Sequence, residues 1–132
     1  MDPSLQLYKR TIDGLAQLHK GVHRRWIREG WPDSPKNKGI NDLLSRLDAR
    51  EKELLADLLE HAHDGGIHCA LGYLNDQMAI DGMRIVQDGV EMAHQPFGAE
   101  LYYDWKSRRL GNAWPDEDEP DEELEGGAGT SA

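Results

Sequence analysis

Five residues that could do chemistry lie close together in the middle of the chain. They are His61, His63, Asp64, His68 and Cys69, all within nine positions. Imidazole, carboxylate and thiolate groups are the usual ligands of zinc and related metals. One interpretation of this cluster is a metal-binding protein or metal-dependent enzyme that uses His61, His63 and His68 as ligands.

The spacing of these histidines also fits a structural role. On a helix His61 and His63 point about 200° apart, so both cannot reach one ion. Glycine commonly ends a helix, and histidine near a helix C-terminus interacts favourably with the helix dipole. The pattern therefore predicts one helix that ends at Gly65-Gly66, a second helix that starts at Ile67, and histidines that cap this corner.

Other signatures of catalysis are missing from the sequence. Cys69 is the only cysteine and lies beside an apolar helical stripe, which is typical of a small core residue. His19 and His23 stand four apart, a spacing that a two-histidine metal site could use, but no HExxH pattern surrounds them, which favours partly buried helix histidines. No serine elbow, phosphate-binding loop or dinucleotide motif is present. We predict no catalytic residue and no cofactor.

Aromatic side chains gather near the end of the sequence, where five of the nine aromatics fall within 18 residues. Large aromatics beside acidic groups are typical of interaction surfaces and of small ligand pockets. The alternative is that this segment fills the core of a small domain. The predicted partner-binding residues are Phe97, Glu100, Tyr102, Tyr103, Asp104 and Trp105.

The formal net charge of -10 is concentrated in one segment. Residues 116–125 carry eight acidic and no basic side chains, which leaves 17 acidic against 15 basic groups in the rest of the chain. Such a run of like charges predicts a disordered acidic tail over residues 116–132. The tail is interpreted as a solubilising appendage, as a lure for a basic partner, or as a mimic of nucleic acid.

Basic residues in the first helix form a second charged region. They are Lys9, Arg10, Lys20, Arg24, Arg25 and Arg28. This face could contact nucleic acid, could hold the protein's own acidic tail, or could simply be solvated. The negative net charge disfavours nucleic acid as a partner.

The elements that must position these residues are mainly helices. Apolar spacing predicts a first helix from Pro3 to about Glu29, and a capping-box pattern starts another at Asp48. The Asp88-Gly89 pair between two apolar runs predicts a β-hairpin over residues 83–92. Glu100 and Asp104 are each expected to face Arg108, or to lie one turn below it, on a last helix.

Together these patterns predict a mainly α fold of about four helices in a compact bundle with one small β-hairpin. One domain is expected over residues 1–115, followed by the tail. No apolar run approaches the roughly 20 residues that a membrane span needs. The single cysteine allows no internal disulfide and is compatible with the cytoplasm.

Two segments resemble a known bacterial family of unknown function. They are GGIHCALGYLND at residues 65–76 and PFGAELYYDW at residues 96–105, followed by a closing Trp-Pro. The resemblance covers about residues 5–115 and stops before the tail. It implies a bacterial cytoplasmic protein and assigns no catalytic residue.

From these observations we expect a non-catalytic protein-binding or regulatory module, such as an inhibitor or an immunity-type protein, with a protein partner. The sequence leaves a homo-oligomer open. The alternatives are metal binding through the histidine cluster and nucleic-acid mimicry by the tail.

Overall fold

The computed structural model describes residues 2–18 and 20–117, and this part of the chain is mainly helical. Its elements, in chain order, are α1 Pro3–Gln17, α2 Val22–Glu29, the 3₁₀ helix Pro35–Asn37, α3 Lys38–Leu44, α4 Ala49–Ile80, β1 Val86–Gln87, β2 Val90–Glu91 and α5 Leu101–Arg109. The predicted mainly α class with one small hairpin is confirmed. Among the described helices, none combines the length and the apolar character that crossing a membrane requires.

The first predicted helix is in fact two helices. Instead of running to Glu29 without a break, α1 ends at Gln17 and α2 begins at Val22. Gly21 separates them with a backbone φ of 78°, in the left-handed region. Glycine enters this region easily, and a left-handed residue cannot continue a right-handed helix.

The longest helix, α4, is continuous where a corner between two helices was predicted. It starts at the predicted capping box, in which Asp48 N donates to Glu51 Oε1 at 2.9 Å and Glu51 N donates to Asp48 Oδ1 at 2.8 Å. It then continues for 32 residues through Gly65-Gly66, where two helices had been expected. Neither glycine has a positive φ, whereas Gly82, just beyond the end of α4, has a φ of 77°. Glycine permits a helix end without imposing one, because inside a helix it costs only about 1 kcal/mol relative to alanine.

The hairpin follows the predicted pattern. Val86 pairs with Glu91 and Gln87 pairs with Val90 in an antiparallel register. The two turn residues, Asp88 and Gly89, have φ values of 51° and 79°. Positive φ at both central residues is what a type I′ turn requires.

The chain divides into two compact units. Unit 1 contains residues 1–17 and 72–132, and unit 2 contains Leu18–Leu71. Helix α4 contributes residues up to Leu71 to unit 2 and the remainder to unit 1. The single domain over residues 1–115 stays a prediction.

In unit 1 the core forms where α1 packs against α5. The largest fully buried side chains of this unit are Tyr8, Ile12, Leu101 and Trp105. Asn75 from α4 is also buried, and its Oδ1 accepts a hydrogen bond from Leu101 N at 3.0 Å. This bond satisfies one of the backbone donors that are left without a helical partner where α5 begins.

In unit 2 a smaller core joins α2, α3 and the first part of α4. Its buried residues are Ile27, Leu44 and Ala56, with Trp31, Leu47, Leu55 and Leu59 packed against them. Asn41 fixes the loop before α3, because its side chain accepts from Trp31 N at 2.8 Å and donates to Trp31 O at 3.2 Å.

Candidate functional site

The continuous α4 helix keeps the three predicted metal ligands apart. His61 and His68 are exposed, and His63 is half-buried. Since a helix rises 1.5 Å per residue, His61 and His68 share a face but lie about 10 Å apart along the axis, and His63 points elsewhere. Within residues 2–18 and 20–117 no group of three or more His, Cys, Asp or Glu side chains could hold a metal ion. The structure therefore does not assemble the predicted histidine site.

One of these histidines instead meets a residue from α2. The ring centroids of His63 and His23 lie 5.3 Å apart, and His63 Nδ1 is 3.2 Å from Asp64 Oδ1. His23 also meets the Trp26 ring edge-on at 6.2 Å. His19, the other member of the predicted pair, lies outside the described residues. Two imidazoles are fewer than the three or four protein ligands that zinc sites use. We therefore interpret this contact as side-chain packing and not as a metal site.

The predicted partner-binding segment is split between core and surface. Asp104 and Trp105 are only 3% and 1% exposed, so the structure places these two predicted partner-binding residues in the core and not at the surface. The reason is that Leu101, Asp104 and Trp105 share the face of α5 that packs on α1.

The other residues of that segment reach the surface to different degrees. Tyr103 is 64% exposed and Glu100 is exposed. The Tyr102 hydroxyl donates to Glu100 Oε1 at 2.8 Å, and this bond raises the pKa of Tyr102. Phe97 is half-buried, with its ring centroid 5.6 Å from that of Trp114. Only these four remain available as a contact surface.

A buried hydrogen bond explains why Asp104 is in the core. The Tyr8 hydroxyl donates to Asp104 Oδ2 at 2.5 Å. Burial, and then the bond and charge of Asp104, raise the pKa of Tyr8. Burial also raises the pKa of Asp104, although the Tyr8 bond acts in the opposite direction. The sequence showed Tyr8 on an apolar stripe but gave no sign of a partner 96 residues away.

The first two acidic residues of the predicted tail are held by α1. Lys9 is buried, and its Nζ lies 2.9 Å from Asp116 Oδ1 and 3.1 Å from Glu117 Oε2. The same Nζ lies 5.8 Å from the Phe97 ring centroid and 5.7 Å from the Trp114 ring centroid. Burial lowers the pKa of Lys9, but the bonds from both carboxylates outweigh it and leave that pKa raised.

This arrangement differs from the prediction for the first residues of the tail. Disorder was predicted from residue 116, yet Asp116 and Glu117 make defined ion pairs with a buried lysine. A basic residue of the first helix, Lys9, therefore holds the first two residues of the predicted tail. Residues 118–132, which complete the predicted tail, lie outside the described residues.

The predicted basic face is partly neutralised within unit 2. Arg24 pairs with three acids on α4: Glu53 at 2.7 Å, Glu60 at 2.9 Å, and Asp57. Arg28 Nη2 lies 2.9 Å from Glu53 Oε1. These two arginines are thus occupied by the protein's own carboxylates.

An exposed apolar surface runs along the part of α4 that belongs to unit 2. We call it the α4 face, and it is formed by Leu54, Leu58, Ala62, Gly65, Gly66 and Cys69, all exposed. Helical geometry places these six residues within about 120° of the helix circumference. Leu54 and Leu58 are 53% and 64% exposed. Cys69 had been expected in the core, but the continuous helix turns it to the surface.

Over residues 2–18 and 20–117 the fold is that of a mainly helical protein with one small hairpin. The chain belongs to the family of unknown function DUF6547, whose model matches residues 1–116. No curated protein and no solved structure matches the chain.

Proposed function

We propose that the protein is a non-catalytic protein-binding or regulatory module, and that the α4 face holds an amphipathic helix of its partner. The observation that carries this proposal is a contiguous exposed apolar strip with two glycines in the middle of a 32-residue helix. Scattered apolar residues are ordinary on a surface, but contiguous ones commonly mark an interaction site.

The glycine pair supports a close approach by another backbone. No described atom outside the local helix lies within 4 Å of where a Cβ would stand on Gly65 or Gly66. Each glycine destabilises the helix by about 1 kcal/mol relative to alanine, and no contact within the described chain requires it. A partner helix can pack directly on this part of α4, because the two glycines have no side chains that would hold its backbone away.

The charge beside the α4 face indicates the kind of helix that fits. Glu53, Asp57 and Glu60 border one side of the face and pair with Arg24 and Arg28, so among these five side chains the negative charges outnumber the positive ones by three to two. The remaining negative charge favours a partner with basic residues on the flank of its apolar stripe. In unit 1, Tyr103 and Glu100 remain proposed contact residues.

The same proposal includes a cell compartment and a type of partner. An exposed single thiol at Cys69 is compatible with a reducing compartment, which supports the bacterial cytoplasm. An inhibitor or immunity-type role would use the α4 face to cover a functional surface of the partner.

Capture of partners from a bacterial extract tests the proposal with two matched variants. Leu58→Glu places a charge on the α4 face, and Leu43→Glu makes the same change at a 44% exposed leucine of α3. We expect one or more proteins to be retained by the wild type and by Leu43→Glu, but reduced at least tenfold with Leu58→Glu. Circular dichroism should show that both variants keep their helices.

Cys69 then reports where the captured partner binds. Addition of the purified partner should slow alkylation of this thiol, because it lies on the α4 face. Equal capture by Leu58→Glu, or an unchanged alkylation rate in the complex, would refute the α4 face as the binding site. A complex of two identical chains would replace the basic partner with a second copy.

A further inference from the structure

A cavity of about 330 Å³ lies beside the hairpin in unit 1. Three of the four methionines in the chain line it: Met78, Met83 and Met92. Backbone hydrogen bonds hold its walls, because Met83 N donates to Gln77 O at 3.0 Å and Met92 N donates to Ile85 O at 2.8 Å. The cavity is therefore a formed feature of this unit, within the size range of small-molecule sites.

The methionines give the cavity an apolar wall that can adapt to its contents. Methionine is unbranched, and its polarisable sulfur makes favourable contacts with aromatic rings about 5 Å away. Met78 and Met92 are only 8% and 3% exposed, so the apolar surface they offer is small and suits one flat group, whereas Ser4 and His94 add polar groups to the lining.

Opposite charges line the same cavity. Arg84 and Glu91 both contribute to its wall, and their Nη1 and Oε2 atoms are 3.3 Å apart. The hairpin explains their proximity, since Arg84 lies two residues before Val86, and Val86 pairs with Glu91. Their side chains are 62% and 55% exposed, so this ion pair adds little stability and its groups can turn to a ligand.

We propose that this cavity binds a free amino acid with an aromatic side chain. The α-carboxylate would bind Arg84, the α-ammonium would bind Glu91, and the ring would lie among the three methionines. A simple carboxylic acid would leave Glu91 without a counter-charge, and a simple amine would leave Arg84 without one. A zwitterion matches both charges, and this site is separate from the proposed α4 face.

Nuclear magnetic resonance of the full chain with ¹³C-methyl methionine tests the proposal. Addition of L-phenylalanine should shift the methyl signals of Met78, Met83 and Met92 in a saturable way. The two analogues that lack one charge, 3-phenylpropionate and phenethylamine, should bind at least tenfold more weakly. Absence of shifts at millimolar L-phenylalanine, or equal affinity for either analogue, would overturn it.

Charge variants identify which group binds which end of the ligand. Glu91→Gln should weaken L-phenylalanine and phenethylamine but leave 3-phenylpropionate unchanged, and Arg84→Gln should weaken L-phenylalanine and 3-phenylpropionate but leave phenethylamine unchanged. Lys106→Gln, at an exposed lysine of α5 in the same unit, is the charge-matched control and should leave all three affinities unchanged. If Glu91→Gln and Arg84→Gln both bind L-phenylalanine like the wild type, the site is not a zwitterion site.

Discussion

At the scale of single residues, the hydrogen bond between Tyr8 and Asp104 places a carboxyl group inside the core of unit 1. Burial disfavours the charged form, and this raises the pKa of Asp104 in the folded state. A group with a raised folded pKa contributes stability below its unfolded pKa, and that contribution disappears as the pH rises through the folded pKa. At neutral pH, where the unfolded carboxyl is ionised, burial of Asp104 therefore opposes folding.

Asp104→Asn should increase the free energy of unfolding at neutral pH. The amide oxygen can still accept the Tyr8 hydroxyl bond, but no charge is buried. The difference from the wild type should shrink as the pH falls below about 4, where the unfolded carboxyl is also protonated. Urea unfolding over a pH series measures this, and a constant difference at every pH would contradict the assigned ionisation.

Tyr8→Phe should have the opposite effect at neutral pH. It leaves a buried carboxylate without its hydroxyl partner and should lower the free energy of unfolding by about 1–3 kcal/mol. Tyr102→Phe is the matched control, since it removes a tyrosine-to-carboxylate bond near the surface. This control should leave the free energy of unfolding nearly unchanged. Similar losses in both variants would show that burial of the Tyr8 bond is not decisive.

At the scale of elements, the features that local chemistry controls could be predicted. The capping box at Asp48 and Glu51 and the Asp88-Gly89 turn both form as their residue types indicate. Prediction failed at Gly65-Gly66, because glycine allows both a helix end and a helix interior. In the structure both glycines lie inside α4, and the left-handed glycine that follows this helix is Gly82.

Glycine substitutions should therefore distinguish a glycine inside a helix from a glycine that follows the end of one. Gly65→Ala and Gly66→Ala should each raise the free energy of unfolding by up to about 1 kcal/mol, since there is open space for the added methyl group. Gly82→Ala should lower it, because its φ of 77° disfavours any Cβ. Thermal unfolding by circular dichroism measures all three. Destabilisation by Gly65→Ala would reveal a contact that the described residues do not show.

At the scale of the whole molecule, the ion pairs of the buried Lys9 join residues that are far apart in sequence. Lys9 pairs with Asp116 and Glu117, which are 107 and 108 residues away. Local periodicity reports which face of a helix is apolar, but it carries no information about which distant residue meets that face. The basic and acidic segments could be recognised from the sequence, whereas their pairing at Lys9 could not.

Neutralisation of these two acids should destabilise the protein. Asp116→Asn with Glu117→Gln removes the counter-charges of a buried lysine and should lower the free energy of unfolding by about 1 kcal/mol, a modest loss because both acids are partly exposed. Asp118→Asn with Glu119→Gln makes the same charge change two residues later and is the control.

A third variant checks the cause of that loss. Lys9→Met in the neutralised background should recover the lost stability, since no unpaired charge remains buried. Urea unfolding followed by tryptophan fluorescence measures each variant. Equal effects of the two double substitutions would mean that overall charge, rather than the Lys9 contact, determines stability.

The division of the chain into one continuous and one discontinuous unit has a consequence for biosynthesis. Unit 2 is the uninterrupted stretch Leu18–Leu71, so all of its residues are synthesised before the hairpin and α5 of unit 1. Helix α1 is synthesised before unit 2, but Tyr8 can meet Asp104 only after every residue between them has been made. During translation the apolar stripe of α1 therefore stays exposed until α5 has been made. Exposed apolar surface of this kind is what chaperones bind and what promotes aggregation of a nascent chain.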